Sequence, residues 1–235
     1  MELEPVVDPH RLYSAVGSEV NANRPLFTGD VYTSVDIPGV GESSAIVIGH
    51  PCSFRGRSGR LADRTPVAAV EAHEPLMPQR WVNGYFNRMP LAGLPLEEEF
   101  HVARLDLALT CDLLPTNRVV CLSHAGINHL QQRLVFHQTR LVIPTRKFHE
   151  AFDHTYEEAD LLEEWGTELD GFDDDPVSTF DSWIREGEPI HQLLLKTPQE
   201  RAPVRRAMRK EIGLRKTGQT REQNTQDQQS RPPPD

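Results

Sequence analysis

The sequence predicts an α+β protein, mainly β, in which a small β-barrel is followed by C-terminal helices and a disordered tail. Three observations support this prediction. Short apolar runs recur between residues 26 and 122, separated by proline and glycine. Two longer segments with helical periodicity follow between residues 123 and 165. From Gly213 onward the chain is polar and low in complexity, which is typical of disorder.

The strands follow an N-terminal segment of different character. Residues 1–25 contain three prolines and little periodicity, which indicates an extended N-terminal arm. The barrel domain is predicted over residues 26–165. Its first strand, VYTSVDI at residues 31–37, alternates with a period of two, and AIVIG at residues 45–49 is a continuous apolar run typical of a central strand. Further strands are predicted at residues 66–70, 100–107 and 118–122.

A loop insertion is predicted within the barrel, near residues 71–99. This stretch contains aromatic residues and four prolines between Pro75 and Pro95. Proline interrupts helices, so the composition favours an ordered, hydrophobic loop over a helix.

Two helices are predicted after the last strand. Ser123 is a natural N-cap for the first, and Pro144 prevents its continuation. The second covers residues 146–165, with Gly166 as its C-terminal stop. The apolar face of the first helix is formed by Ile127, Leu130, Leu134 and Leu141.

Charge is distributed unevenly along the chain, whose total is −10. Residues 149–190 have a net charge of −14 and residues 191–235 a net charge of +5. The first 148 residues are therefore nearly neutral, and the acidity does not exclude nucleic acid as their partner. Residues 166–212 are expected to form an acidic loop and short docking helices, and residues 213–235 the disordered tail.

Composition also bears on location. No apolar run approaches the roughly 20 residues that span a bilayer, so no membrane segment is expected. The first residues, MELEPVVDPHRLY, lack the charge and apolar pattern of a signal peptide. The three cysteines are odd in number and contain no CxxC pair. We therefore expect a cytoplasmic protein with reduced thiols.

An arginine-rich loop is the first candidate site. The segment FRGRSGRLADR at residues 54–64 places Arg55, Arg57 and Arg60 among glycines and a serine. Glycine lets a phosphate approach the backbone, and arginine offers planar, bidentate donors to it. These arginines are candidates for nucleic-acid binding. The alternative is a solvated hairpin loop.

The polar face of the first helix is the second candidate. His129, Arg133, His137 and Arg140 recur at spacings of four, four and three, which places them in one stripe. Such a stripe can bind a phosphodiester, with a histidine as acid or base near neutral pH. The alternative is an ordinary solvated face.

His50 and Cys52 flank Pro51 at the exit of the second strand. A histidine and a cysteine this close suit a nucleophile and its base, or two metal ligands. A structural cysteine in the barrel wall is the alternative. No second ligand pair follows at the usual spacing, so we expect no metal and no cofactor.

The order of these motifs resembles the MazF/PemK family of growth-inhibitor toxins. The shared features are GDV at residues 29–31, then AIVIG, then PVAAV, then RLVFHQTRL before a terminal helix, over residues 27–145. The chain is also similar to uncharacterised bacterial proteins with a GD-strand followed by an apolar strand and a cysteine-containing turn. The MazF/PemK resemblance implies an SH3-like, PemK-type barrel, a homodimer and metal-free cleavage of single-stranded RNA.

One departure from that family concerns catalysis. The catalytic arginine of the family lies just before the second strand, where this chain reads Gly41-Glu42-Ser43-Ser44. The resemblance therefore implies the fold but assigns no catalytic arginine.

We expect a nucleic-acid-engaging bacterial protein, as a divergent PemK-like endoribonuclease toxin or a component of phage defence. In the ribonuclease hypothesis a 2′-hydroxyl attacks the adjacent phosphate and His137 or His50 moves the proton. The pentavalent anion is stabilised by Arg55, Arg57 and Arg133. Arg60, His129 and Arg140 add nucleic-acid contacts.

Two rival hypotheses stay open. One is a non-catalytic interaction module that recruits a protein partner through residues 149–216, which contain the acidic and basic segments. The basic part of that segment equally suits pairing with the acidic part of the same chain. The other is a cysteine-dependent enzyme that uses Cys52 and His50.

Overall fold

The computed structural model describes residues 2–6, 8–54, 61–84, 86–94, 96 and 100–229. The chain forms two compact units, Met1–Tyr156 and Glu157–Asp235. The predicted boundary after residue 165 is therefore displaced, and the observed one lies inside a helix. Both halves of that helix have apolar side chains to bury, so the helix is continuous where the units change.

The first unit contains a seven-stranded antiparallel sheet in the order β1-β7-β2-β3-β4-β6-β5. The strands are β1 Tyr13–Val16, β2 Asp30–Ile37, β3 Gly41–Val47, β4 Thr65–Ala72, β5 Arg88–Ala92, β6 Phe100–Cys111 and β7 Arg118–Leu122. Each of the five predicted strands has a counterpart in β2, β3, β4, β6 or β7. β1 and β5, the two outermost strands, lie outside the predicted strands.

The sheet is curled into a half-barrel. The two outermost strands approach each other closely enough for the Tyr13 hydroxyl of β1 to donate to the Ala92 carbonyl of β5 at 2.9 Å. The predicted α+β class and the barrel-like sheet are thereby confirmed. The emphasis on β structure is wrong, because helical residues outnumber strand residues in the described part of the chain.

The core of the sheet follows the predicted alternation with one irregularity. Val31, Val35 and Ile37 are buried, whereas Thr33 is only half-buried. The pairing of β2 with β3 shifts between Tyr32 and Val35, which interrupts the period of two. A larger set of side chains completes this core: Tyr32, Ala45, Val47, Phe54, Val67, Ala69 and Cys111.

The N-terminal segment is folded onto the sheet, which corrects the prediction of an extended arm. It contains β1 and two short 3₁₀ helices, Pro9–Leu12 and Gly17–Glu19. Leu3 and Leu12 are buried, so the segment supplies apolar side chains to the core. This burial offsets the entropy cost of ordering the segment.

The region near residues 71–99 also differs from prediction, since its described part is a helix and a strand. It contains α2, Pro78–Asn83, and the outermost strand β5. Proline at the first turn of a helix or on an outermost strand removes no required hydrogen bond, which explains why Pro78 and Pro90 are tolerated.

Both predicted helices are present, but their ends differ from prediction. Leu141, predicted on the apolar face of the first, lies beyond its end and is exposed. α3 spans His124–Thr139, and the Ser123 hydroxyl accepts from Gly126 N–H as predicted. α4 spans Thr145–Glu168 and continues through Gly166, the predicted stop. Trp165 and Leu169 are both buried, and their packing outweighs the cost of a helical glycine, about 1 kcal/mol. A one-turn helix, α1, spans Pro51–Phe54.

The second unit is helical. After the end of α4 it contains α5 Pro176–Glu186, α6 His191–Leu194 and α7 Pro198–Gln229. Its core is formed by Leu161, Leu162, Trp165, Leu169, Phe180, Ile184, Leu195, Val204, Met208 and Ile212. α7 continues through Pro203 because Val204, Met208 and Ile212 share one buried face.

The predicted disordered tail is also corrected. α7 includes residues 213–229 of the predicted tail, and residues 230–235 lie outside the described chain. No described helix is long and apolar enough to cross a membrane.

Candidate functional site: a histidine and aromatic cleft

A small, partly open cleft lies within the first unit. Its empty volume is about 210 Å³, which includes space open to solvent. The lining residues are Phe27, Thr28, His50, Pro51, Ile127, Gln131, Phe152, Thr155 and Tyr156.

Four parts of the fold bring these side chains together. Phe27 and Thr28 precede β2, and His50 follows β3 at the start of α1. Ile127 and Gln131 are one turn apart on α3, and the remaining aromatic residues come from α4. The Thr28 hydroxyl donates to the Gly49 carbonyl at 2.6 Å, which joins the segment before β2 to the chain just before His50.

His50 is held by the short helix α1. The Cys52 backbone N–H donates to His50 Nδ1 at 3.2 Å. The Ser53 N–H and hydroxyl both donate to the His50 carbonyl, at 2.8 and 2.7 Å. His50 therefore serves as the N-terminal cap of α1, and its imidazole orientation is fixed by backbone geometry.

The electrostatics of the cleft favour a neutral imidazole. Burial lowers the pKa of His50, and the charge that His154 acquires on protonation lowers it further. The ring also packs against Phe152, with centroids 5.0 Å apart. His50 is therefore uncharged at neutral pH.

Tyr156 forms a rigid aromatic wall. Its hydroxyl donates to Asn128 Oδ1 at 2.9 Å, and burial raises the pKa of the phenol above its ordinary value. The His124 ring stacks on it at 4.2 Å and 12°, and the Phe27 ring lies 6.0 Å away. Tyr156 and Phe27 are 2% and 4% exposed, so these neighbours cover most of both rings and hold them in place.

The described lining contains aromatic, aliphatic and uncharged polar side chains, with His50 as its titratable imidazole and no carboxylate, lysine or arginine. A bound phosphate would lose its hydration there without a compensating cation. The chemistry of the cleft therefore favours an uncharged, planar group with hydrogen-bonding edges.

The predicted site residues do not converge on this cleft as a set. His50 lines it, whereas Arg55, Arg57 and Arg60 lie outside the described residues. α3 contributes Ile127 and Gln131 to the described lining, and none of the residues of the predicted polar stripe.

Arg133 is buried, contrary to the expectation of an exposed polar stripe. It is 1% exposed, and its two terminal nitrogens donate to the backbone carbonyls of Trp81 and Arg88. Burial lowers the pKa of Arg133 to about 10. Its guanidinium joins α3 to α2 and β5, which is a structural role.

The other members of the stripe have different environments. His129 is half-buried, and burial together with the Arg133 charge lowers its pKa. His137 is half-buried too, and its Nδ1 is enclosed without a hydrogen-bond partner among the described residues. Arg140 is exposed in the left-handed conformation at the end of α3, and its guanidinium lies 5.7 Å from the centre of the Phe136 ring.

The structure gives a cysteine-dependent mechanism little support. Cys52 is exposed and has a free thiol. The hydrogen bond that joins it to His50 comes from its backbone N–H and leaves the sulfur uninvolved. In the part of the chain that the structure describes, no group of three or more His, Cys, Asp or Glu side chains is arranged to hold a metal ion.

The acidic and basic segments proposed to recruit a protein partner contact each other within the second unit. Arg205 donates to Glu157 and Glu164, both at 2.8 Å. Lys216 on α7 donates to Glu168 on α4 at 2.7 Å. Intramolecular pairing, one of the two possibilities left open by the sequence, is therefore observed for these residues.

Several cleft residues were not singled out as functional in the sequence: Phe27, Thr28, Gln131, Phe152 and Tyr156. The four-residue spacing of Phe152 and Tyr156 places both on one face of α4, and this is the pattern that identifies them. Their proximity to His50 depends on long-range packing. No protein-family model matches the chain, and no curated protein matches it.

Proposed function

We propose that this protein engages single-stranded nucleic acid, with RNA as its ligand, by accepting one unstacked base in the cleft beside His50. The observation that supports this proposal is the lining of the cleft. Aromatic rings and uncharged polar groups line this partly open cleft. Proteins that bind single strands commonly stack bases on aromatic side chains in this way.

A candidate phosphate-binding element follows His50 closely in the sequence. Arg55, Arg57 and Arg60 follow α1 directly, and α1 begins immediately after His50. In the proposal these arginines neutralise the backbone phosphates, whereas the cleft accepts the base. The division of roles explains why the described cleft lining itself carries no arginine or lysine.

Cleavage of the RNA, in the manner of a divergent PemK-like toxin or a phage-defence component, belongs to the same proposal. Arg133 is left out of the catalytic group, because its terminal nitrogens are occupied by carbonyls. His137 remains the candidate for moving the proton. We also propose that the barrel is SH3-like and of the PemK type, and that the protein forms a homodimer.

Binding is tested by fluorescence anisotropy with a labelled ten-nucleotide oligouridylate, its single-stranded DNA counterpart and an RNA duplex. We expect the single-stranded RNA to bind more tightly than the duplex, with affinity falling as salt is raised. Phe152→Ala removes one face of the cleft and should weaken binding by about 10-fold, since one stacked base contributes about 1–3 kcal/mol.

The matched control is Phe172→Ala, which changes an exposed phenylalanine of the second unit. It should leave binding unchanged. Equal affinity for duplex and single strand, or no binding at low salt, would contradict the proposal. Preference for the DNA strand would retain the base-binding cleft and reject RNA as the ligand.

Cleavage is tested separately, by incubating mixed-sequence RNA with the protein in EDTA. Attack by a 2′-hydroxyl predicts 2′,3′-cyclic phosphate ends and their loss in His137→Ala. Intact RNA after incubation with excess protein would reject catalysis and leave binding as the function.

A further inference from the structure

We infer that His50 is a base-recognition residue, which donates a hydrogen bond from Nε2–H of its neutral imidazole to an acceptor atom of the bound base. This inference rests on the proposed function and specifies how the cleft binds its ligand. It differs from the proton-transfer role that the sequence suggested for His50.

The backbone of α1 selects the tautomer. Cys52 N–H is a donor, so His50 Nδ1, 3.2 Å away, must present a lone pair to it. A neutral imidazole carries one proton, which is therefore placed on Nε2. Protonation of Nδ1 would set two N–H groups against each other and disrupt the cap of α1.

The position of the ring then determines what a ligand meets. Nδ1 is turned towards α1, and Nε2 has no hydrogen-bond partner among the described residues. His50 lines the cleft and packs on Phe152 at 5.0 Å. Nε2–H is therefore the polar edge that His50 offers to a group bound against the aromatic rings.

The same geometry argues against a general base. A base must accept a proton at a free lone pair, and the single imidazole lone pair is occupied by Cys52 N–H. Burial and the neighbouring His154, which lower the pKa of His50, act in the same direction. Donation to a carbonyl or ring nitrogen requires no change in protonation.

Two substitutions separate the capping role from the ligand contact. His50→Asn keeps a short acceptor that can cap α1 but lacks a donor at the position of Nε2. His50→Gln places an amide N–H near the position of Nε2 but is a poorer cap. If His50 were only a cap, Asn would be the better replacement in every assay.

The experiment measures thermal unfolding and binding of the labelled ten-nucleotide oligouridylate for both variants. We expect His50→Asn to unfold near the wild-type temperature but to bind about 3- to 10-fold more weakly, the loss of one hydrogen bond. His50→Gln should bind more tightly than His50→Asn although it is less stable. Wild-type affinity in His50→Asn, or equal weakening in both folded variants, would overturn the inference.

The tautomer is measured independently of RNA, by long-range proton–nitrogen correlation of the histidine rings at neutral pH, with His50→Asn used to assign the signal. A proton on Nε2 supports the inference, and a proton on Nδ1 overturns it. A wild-type protein that binds no RNA would reject the proposed function and the base contact together. Weak binding by His50→Asn alone would distinguish the contact from the function.

Discussion

A buried ion pair of the first unit and an ion-pair network of the second unit lie in different surroundings. In the first unit, Asp30 and Arg118 form a salt bridge at 3.0 Å, and their side chains are 1% and 2% exposed. In the second unit, Arg205 pairs with Glu157 and Glu164 while remaining 31% exposed. One pair is enclosed in the protein, whereas the other network stays in contact with water.

The difference shows what each kind of ion pair contributes to the fold. Arg118 also donates to the carbonyls of Asn21, Arg24 and Pro25, and Asp30 accepts from Phe27 N–H at 2.9 Å. This network fixes the segment that supplies Phe27 to the cleft. A buried pair adds little net stability but specifies one arrangement, and an exposed pair does neither strongly.

Removing one partner of the buried ion pair should give the largest loss of stability. Arg118→Met leaves the Asp30 carboxylate enclosed, with Arg24 at 3.9 Å as its remaining cationic neighbour among the described residues. We expect the free energy of unfolding to fall by about 3–5 kcal/mol. Urea unfolding measures the loss, and hydrogen exchange should assign it to residues 21–37.

The control is Arg104→Met, which removes a partly exposed arginine from Glu71 and Asp106 on the same sheet. Its cost should be about 1 kcal/mol or less. Equal losses of unfolding free energy in the two variants would show that burial does not determine how much each ion pair contributes.

The next largest loss of stability should come from Arg133, a buried arginine whose described partners are backbone carbonyls. Arg133→Met leaves the carbonyls of Trp81 and Arg88 without their donors, at a cost of about 1–3 kcal/mol. Any change in RNA binding should follow the folded fraction, because Arg133 has a structural role. Arg140→Met, at an exposed position after the same helix, should change stability by less than about 0.5 kcal/mol. RNA binding abolished in fully folded Arg133→Met protein would contradict this interpretation.

The stability contributed by the partly exposed ion-pair network of the second unit should depend on salt concentration. Arg205→Met should cost about 0.5–1 kcal/mol in dilute buffer, and most of that difference should disappear at 1 M NaCl, where the screening length is about 3 Å. Arg206→Met, at an exposed neighbouring position on α7, is the matched control and should show no such salt dependence. Urea unfolding at low and high salt makes the comparison, and a cost that persists in high salt would argue against it.

Acidification should lower the stability of the protein slightly, because folding lowers the pKa of a half-buried histidine. Burial lowers the pKa of His129 below its ordinary value of 6.5. The unfolded chain then binds more protons than the folded one, so stability is full above pH 6.5 and declines as the pH falls below it. His129→Gln should flatten this decline in urea unfolding series between pH 7.5 and 5.5. An unchanged pH profile would exclude His129 as its source.

The predictability of the fold depended on how local the determining interactions are. β7 and the Ser123 cap were found because adjacent residues determine them. β1 and β5 were missed since one has four residues and the other contains Pro90, and both exist through pairing with distant strands. The length of α7 was underestimated. Pro203 predicts a break from the local sequence, whereas the buried face that stabilises the helix depends on tertiary packing.

The candidate site was predicted less completely for the same reason. His50 was found as a polar residue at a strand exit, but its partners Phe27, Gln131 and Phe152 come from distant parts of the first unit. Arg133 was assigned to an exposed face because arginine is seldom buried. Its burial is explained by two carbonyls that no local pattern reveals.

The outermost strand β5 has a consequence for association between copies of the protein. Its alternate residues Arg88, Pro90 and Ala92 offer little to an incoming strand. The Arg88 and Ala92 carbonyls already accept hydrogen bonds from Arg133 and Tyr13, and proline has no N–H to donate. Strand addition at this end of the sheet is therefore disfavoured, since an incoming strand would find two carbonyls occupied and one donor missing.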